Sequence, residues 1–425
     1  MENNQSSKEK FLWNMLGSLS NALLSVFLLM LVTRLLSSSD SDLYSIAFAV
    51  GNLLSMVGLF QVRNIQSTDI ERKYRFSEYL VVRIASNLVM VCLAIGYVIF
   101  NGFDSQKAIL IILMTLYRVS ESFSDLFQGL FQQRERLDIA GKSLFFRNVF
   151  ILLSFSVTLI ITHNLMISTL VWVTVSLLFV ILYDVPKSLR FEKWFKKEYF
   201  GHFSFKLSVQ LIRECFPLFL IGFFAIYIYN QPKYAIDSLM REGHLETGVQ
   251  TIFNIIFMPT FVMNLLMLFF RPMLTQMSIF LYNGQIKQFK SLQNKTFLLL
   301  LALNIIILFF SALLAIPVLE VLYNIQLKEY WQSFMVLMFS GSIASLCVFL
   351  DNIITVLRYQ KLLVPPYLLA LVTALLVSKP FIIHYGMLGA SLSFLATVLV
   401  WFICMCIIYL IARRNYFKNY IYIEE

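Results

Sequence analysis

Charge is scarce in this 425-residue chain: 14% of its residues are charged, against 59% hydrophobic and 16% aromatic. A soluble domain carries about 25% charged residues, so the soluble globular classes are excluded. Histidine is scarcer still. His163, His202, His244 and His384 fall in loops or at the ends of apolar runs, which gives no support to a histidine catalyst or metal centre. Walker loops, Rossmann glycine patterns and paired-cysteine zinc spacings are missing. Cys92, Cys215, Cys347, Cys404 and Cys406 all lie inside apolar runs, where packing explains them better than a disulfide framework. The inventory points away from an enzyme.

What the chain has is apolar length. A membrane-spanning helix needs about 20 mostly apolar residues, and about twelve stretches qualify: 11–36, 43–62, 79–100, 108–131, 143–162, 166–184, 207–231, 247–270, 296–322, 331–357, 362–383 and 386–411. Membrane barrel strands would alternate apolar and polar residues; these runs are continuous. The first stretch follows Lys8 and Lys10 as a signal peptide would, yet it outruns a typical h-region and lacks a clear cleavage site, so it reads as a retained span. The net charge of +10 is distributed unevenly over this map. With the N-terminus inside, the cytoplasmic segments collect most of the Lys and Arg, six of them between Lys187 and Lys206. The opposite side receives Lys107, Lys233, Arg241, Lys328 and Lys379, with Arg34 at the border. That asymmetry is the positive-inside rule. It predicts a multi-pass protein of the cell membrane with both termini cytoplasmic, and it explains the basicity without nucleic acid.

The fourth stretch breaks the apolar pattern. At about 100° per residue, Arg118, Glu121, Asp125, Gln128 and Gln132 share an arc of roughly 80°, while Leu126, Phe127, Leu130 and Phe131 lie mostly away from it. A charge at the bilayer centre costs on the order of 2.5 to 3.5 kcal/mol, so such a face turns to a bundle interior or a wet cavity. Arg118 lies about ten residues, roughly 15 Å, from the span's end, too deep to snorkel. Two readings are open: an i,i+3 ion pair with Glu121 that locks the helix to a neighbour, or an anion site or proton-responsive switch. Arg83 and Arg147 enter their spans within a turn or two of the cytoplasmic end, where snorkelling to the interface is the plain expectation.

Residues 191–200, FEKWFKKEYF, set Phe191, Trp194, Phe195 and Tyr199 against Lys193, Lys196 and Lys197. This predicts an interfacial amphipathic segment on an anionic leaflet, within a basic linker, 185–206, that separates a six-span lobe, 1–184, from a second, 207–425. In both halves an opening helix closes, a charged turn follows and an apolar span returns inward: Thr33 and Arg34 close the first, and Gln231 to Asp237 the seventh. Such halves relate by an axis along the membrane normal. Pro217, Pro259 and Pro317 are candidate kinks. Asp351, Thr355 and Arg358 share a helical face, as an ion-paired helix end or an inner gate.

Three stretches carry a family resemblance: the opening span ending LVTRLL, SDLFQGLFQQRERLDIAGKS in the fourth, and FPLFLIGFFAIYIYNQPKYAID in the seventh. Over nearly its whole length the chain resembles the polysaccharide repeat-unit flippases of the multidrug, oligosaccharidyl-lipid and polysaccharide exporter (MOP) superfamily. The resemblance implies an all-α membrane fold of two six-helix lobes around a central cavity. It implies translocation of undecaprenyl-diphosphate-linked glycan between leaflets, with polysaccharide assembly enzymes as candidate partners. It assigns cavity roles to basic residues of the first, second, seventh and eighth spans, here Arg34, Arg63, Lys233 and Arg271.

A lipid-linked diphosphate crossing about 30 Å of hydrocarbon needs cations along its route. Depth alone suggests a ladder: Arg63, Arg83, Arg147, Arg213 and Arg271 at the inner mouth, Arg118 midway, Arg34 and Lys233 at the outer end. Glu121, Asp125, Gln128, Glu214 and Asp351 are candidates for coupling or gating, driven by a proton or a sodium gradient. No cofactor is expected. A multidrug or cation antiporter on the same fold is the alternative. A glycan polymerase is disfavoured because every outer loop is short.

Overall fold

The computed structural model describes residues 2–69, 71–194 and 204–424, with some side chains of the termini and of the helix 260–282 also outside the description. Among the described residues the chain is helical, with no strand. The first half contains α1 (Glu2–Leu35), α2 (Ser38–Leu59), α3 (Val62–Thr68), α4 (Phe76–Asn101), α5 (Ser105–Gln133), α6 (Leu137–Thr162), α7 (Leu165–Phe179), a π-turn (Val180–Asp184) and α8 (Val185–Ser188). The long α9 (Phe205–Arg241) is followed by α10 (Val249–Phe257), α11 (Thr260–Tyr282), α12 (Ile286–Phe310), α13 (Ile316–Tyr323), α14 (Trp331–Val356) and α15 (Val364–Glu424).

Local chemistry sets the helix ends. Ser37 accepts the Asp40 N–H at 3.2 Å to start α2, Asp104 accepts that of Lys107 at 3.3 Å to start α5, and Asn164 accepts that of Ile167 at 3.1 Å to start α7; each satisfies an N–H that the helix itself leaves bare. Of the three candidate kinks, Pro217 lies inside the unbroken α9, while Pro259 and Pro317 begin segments. Pro259 is the N-cap of α11, dividing what the apolar pattern reads as one span, and Pro317 lies in the first turn of α13, after a π-turn at Ser311–Ala315.

Nine helical stretches among the described residues are long and apolar enough to cross a membrane. The difference from the twelve read in the sequence has three sources. Arg118, Glu121 and Asp125 interrupt α5, α11 is not in the set, and residues 360–416 count once although Gly386 (φ 55°, ψ −131°) breaks α15 between the last two predicted spans.

The chain divides into two compact units, Met1–Ile226 and Tyr227–Glu425, with the boundary inside α9. In the first unit α5 touches α2, α3, α4, α6 and α7. Its apolar side, Leu126, Phe127, Leu130 and Phe131, is buried with Val62, Phe76, Trp194 and Leu211. Trp194 therefore does not anchor in the interface as the amphipathic reading expects. It is a core residue, its indole N–H donating to Ser188 Oγ at 3.0 Å and its ring beside Phe76 and Phe127. Residues 195–203 of that segment lie outside the described residues. In the second unit α14 packs against α11 and α15, with Phe349 and Ile353 buried against Phe289 and Leu300.

Lipid gives no hydrophobic drive between helices, so close packing and polar contacts hold them. Gly17 and Gly141 show the first. A Cβ at Gly17 would lie 2.9 Å from the Gly141 carbonyl oxygen, and one at Gly141 would strike the Trp13 backbone. Gly141→Ala is expected to cost about 1 to 3 kcal/mol by overpacking, read as a lower unfolding midpoint in detergent; an unchanged midpoint would mean that α1 shifts freely on α6.

Candidate functional site

The polar face of α5 does not meet lipid. Asp125 is its pivot, with Arg63 Nη1 on Oδ1 at 3.1 Å and Arg83 Nη2 on Oδ2 at 2.9 Å. Arg63, from α3, also reaches Gln128 at 3.0 Å and Gln132 at 3.2 and 3.3 Å, so one guanidinium spans two further turns of α5. Arg83, from α4, is 0% exposed and donates to the carbonyls of Gly58 and Leu59 at 2.9 and 2.7 Å. Those are orphan acceptors at the end of α2, where a cation is favourable. About two turns earlier on α5, Arg118 binds Glu121 at 2.5 Å, donates to Asn52 of α2 and lies 5.1 Å from the Phe48 ring centre. The ion pair and the lock to a neighbouring helix are both present.

Arg147, on α6, is 1% exposed, and its Nε and Nη1 find no acceptor among the described residues. Neither Arg83 nor Arg147 snorkels. Both turn inward, and for Arg83 polar groups on α2 and α5 offer what the headgroups would otherwise supply.

Next to them lies a partly open chamber of about 290 Å³ within the first unit, lined by Arg63, Arg118 and Arg147, by Glu121, Asp125 and Gln128, and by Asn21, Asn52 and Ser55. Both carboxylates are engaged by guanidinium groups. Beside an apolar part of the wall made by Met56, Leu59 and Leu144, what faces the space is cationic charge, amide and hydroxyl: donors for a phosphate or carboxylate, and partners for sugar hydroxyls. No nucleophile with an adjacent base is part of it.

No protein-family model matches the chain. The capsular polysaccharide biosynthesis protein CapF of Staphylococcus aureus is 21% identical over 211 residues, 49% of this chain. The match spans about half the length of that relative, 50%. Among solved structures, the lipid II flippase MurJ in an inward closed conformation superposes with a TM-score of 0.68 at 13% identity, covering 99% of this chain and 93% of that one. An inward-facing multidrug resistance MATE transporter of the MOP superfamily gives 0.65 at 11%, covering 93% and 94%. The Vibrio cholerae MATE transporter VcmN gives 0.63 at 14%, covering 97% and 99%. The fold is that of the MOP transporters.

Within this MOP fold the predicted ladder is gathered rather than strung out. Arg63, Arg83, Arg118 and Arg147 converge with Glu121, Asp125 and Gln128, and in the same unit Arg34 and Arg213 are not among them. Arg34 is exposed at the end of α1. Arg213 is exposed on α9, and its neighbour Glu214 pairs with Lys73 at 2.6 Å, holding that ammonium above its ordinary pKa. Lys233 is not in a closing turn: α9 continues past Pro232 to Arg241, and Lys233 is buried 4.9 Å from the Phe257 ring centre. The side chain of Arg271, on α11, lies outside the described residues. Asp351 does not pair with Arg358 among the described residues; it accepts the Tyr367 hydroxyl at 2.7 Å, tying α14 to α15.

One buried carboxylate escapes sequence reasoning. Asp184, in the π-turn after α7, is 0% exposed and accepts from Ser124 at 2.7 Å and Ser143 at 2.5 Å, joining α5 and α6 behind the chamber. Hydropathy places it at the end of a span. The available signal is Pro186 two residues later, which marks continuing helix only once the π-turn is known.

Proposed function

We propose that this chain is a flippase of the cytoplasmic membrane, both termini cytoplasmic, moving undecaprenyl-diphosphate-linked polysaccharide repeat units from the inner to the outer leaflet by alternating access. One observation carries the proposal: a chamber among membrane helices whose carboxylates are already neutralised by arginine, leaving cationic and amide donors over. Diphosphate needs charge compensation to enter hydrocarbon, and guanidinium supplies it in a bidentate form that an ammonium does not. The MOP fold and the capsule-biosynthesis relative support the same reading. A cation antiporter would need carboxylate free for its cargo, and Glu121 and Asp125 are both bound to arginine. A proton or sodium gradient is the proposed drive.

Purified protein in liposomes carrying fluorescent undecaprenyl-diphosphate-linked saccharide tests this. The expected result is faster loss of inner-leaflet label to an external quencher than in empty liposomes. Unchanged label, with cationic dye transported, would replace the proposal by the antiporter reading.

A further inference from the structure

Beside the α5–α6 turn lies a second cavity, of about 220 Å³, that shares no lining residue with the chamber. Arg72, Arg75, Arg134 and Glu192 line it, over a wall formed by Tyr74 and Phe76. Its frame is well tied. The Asp69 carboxylate accepts the backbone N–H of Lys73 at 2.9 Å, that of Tyr74 at 3.0 Å and the Tyr79 hydroxyl at 2.8 Å. Gln133 of α5 donates to the Asp69 carbonyl at 2.9 Å. Loop and helix end are thus fastened as one piece.

Two further features set this cavity apart. Arg72 (φ 54°) and Glu135 (φ 58°), one in each of the two turns that frame it, hold left-handed backbone conformations that side chains other than glycine and asparagine disfavour, a strain that clusters at ligand clamps. The charge is also unbalanced. Of the three lining guanidiniums only Arg134 has a carboxylate, Glu192, and its Nε is buried without an acceptor among the described residues. The guanidiniums of Arg72 and Arg75 form no ion pair among the described residues, the Glu78 carboxylate being taken by the Arg75 backbone N–H at 2.9 Å. Lys73, between them, is drawn away to Glu214.

The geometry points to a binding site for a phosphate-bearing group, a phosphomonoester or diphosphate held between Arg72, Arg75 and Arg134. The surplus of two positive charges matches a phosphate dianion, and planar guanidinium forks match its oxygens. The volume admits the phosphate with little attached to it. This site is separate from the transport chamber, and its ligand has two sources: the headgroup of an anionic phospholipid, or a soluble phosphorylated molecule on the proposed cytoplasmic side. Binding there bridges the loop before α4, the end of α5 and the turn that carries Glu192.

The test is titration calorimetry of inorganic pyrophosphate into the full chain in nanodiscs of phosphatidylcholine alone and of phosphatidylcholine with phosphatidylglycerol. Submillimolar affinity in both compositions assigns the site to a soluble ligand. Affinity at least threefold weaker with phosphatidylglycerol present, together with retention of that lipid through purification, assigns it to a headgroup. Arg72→Asn with Arg75→Gln is expected to weaken binding at least tenfold, and the asparagine keeps the left-handed turn available. Each titration is repeated in an Arg147→Met background, so that pyrophosphate held in the chamber does not count toward this site. The proposal is overturned if the double variant, eluting and melting as wild type, binds pyrophosphate equally well. It is also overturned if Arg147→Met abolishes the binding, or if the wild type takes up neither pyrophosphate nor phosphatidylglycerol. Because the two cavities share no lining residue, loss of binding in the Arg72 and Arg75 variant and loss in the Arg147 variant report separately on this site and on the flippase reading.

Discussion

Asp125→Ala is expected to cost about 3 to 5 kcal/mol, the range for removing one partner of a buried ion pair, and with it most of the folded protein. The carboxylate serves two guanidiniums at once, at 3.1 and 2.9 Å. Arg63 keeps Gln128 and Gln132 when it is lost, and the side chain is 28% exposed, so water covers part of the deficit. Arg83 has no such recourse. At 0% exposure it is left with the carbonyls of Gly58 and Leu59 and a long contact to Ser122, and its charge is uncompensated in a low-dielectric interior. Asp125→Asn, which keeps an acceptor oxygen and loses the charge, is expected to fall between. Removing both partners, as Arg83→Met with Asp125→Leu, is expected to recover most of the loss, since the cost lies in the stranded charge more than in the missing bond. Unfolding midpoints from size-exclusion after heating in detergent read all three. A midpoint for Asp125→Ala within a degree or two of wild type would mean that water or lipid headgroups reach Arg83.

The sequence exposes α5 because charges at a 3.6-residue period inside an apolar run have no explanation except a sheltered polar face. The residues that complete the face are hidden for a geometric reason. Distance from a span's end measures depth, which is why Arg83 and Arg147 look able to snorkel. Which way each turns depends on the neighbour, and the carbonyls of Gly58 and Leu59 that draw Arg83 inward belong to another helix. Asp184 is concealed likewise: its two serines lie 60 and 41 residues away. Trp194 has an amphipathic surrounding sequence, yet a void beside Phe76 and Phe127 claims it. Lys233 follows Pro232 and so reads as the end of a helix, but a proline removes only one hydrogen bond and α9 runs on to Arg241. Hydropathy thus conveys the fold class and most spans. The chamber's membership requires contacts between helices distant in sequence, which periodicity within one helix does not carry.

Arg147→Met is expected to leave the protein as stable as wild type to within about 1 kcal/mol, since replacing a buried charge by a packed apolar side chain is often neutral or better. On the proposed flippase reading, it is expected to lower surface glycan export at least tenfold. The two halves of this expectation come from one observation. Arg147 is 1% exposed and its charge acts on the buried Asp184 carboxylate, yet two of its donors find no acceptor among the described residues, so its hydrogen-bonding capacity is unfilled in the folded chain. A group kept under those terms contributes little to stability, and binding sites carry such costs where a ligand supplies the missing partner. Arg63, Arg83 and Arg118 are each tied to a carboxylate of α5, which makes Arg147 the lining guanidinium with the most donor capacity left for a diphosphate. Arg147→Lys is expected to restore part of the export, because it keeps the charge and loses the fork. Export is read as surface polysaccharide per molecule of membrane-inserted protein, with the unfolding midpoint measured alongside. Full export by the methionine variant would remove Arg147 from the transport path; a collapsed midpoint would show instead that it steadies the fold beside Asp184, whose two serine contacts would then be too few to hold α5 and α6 together.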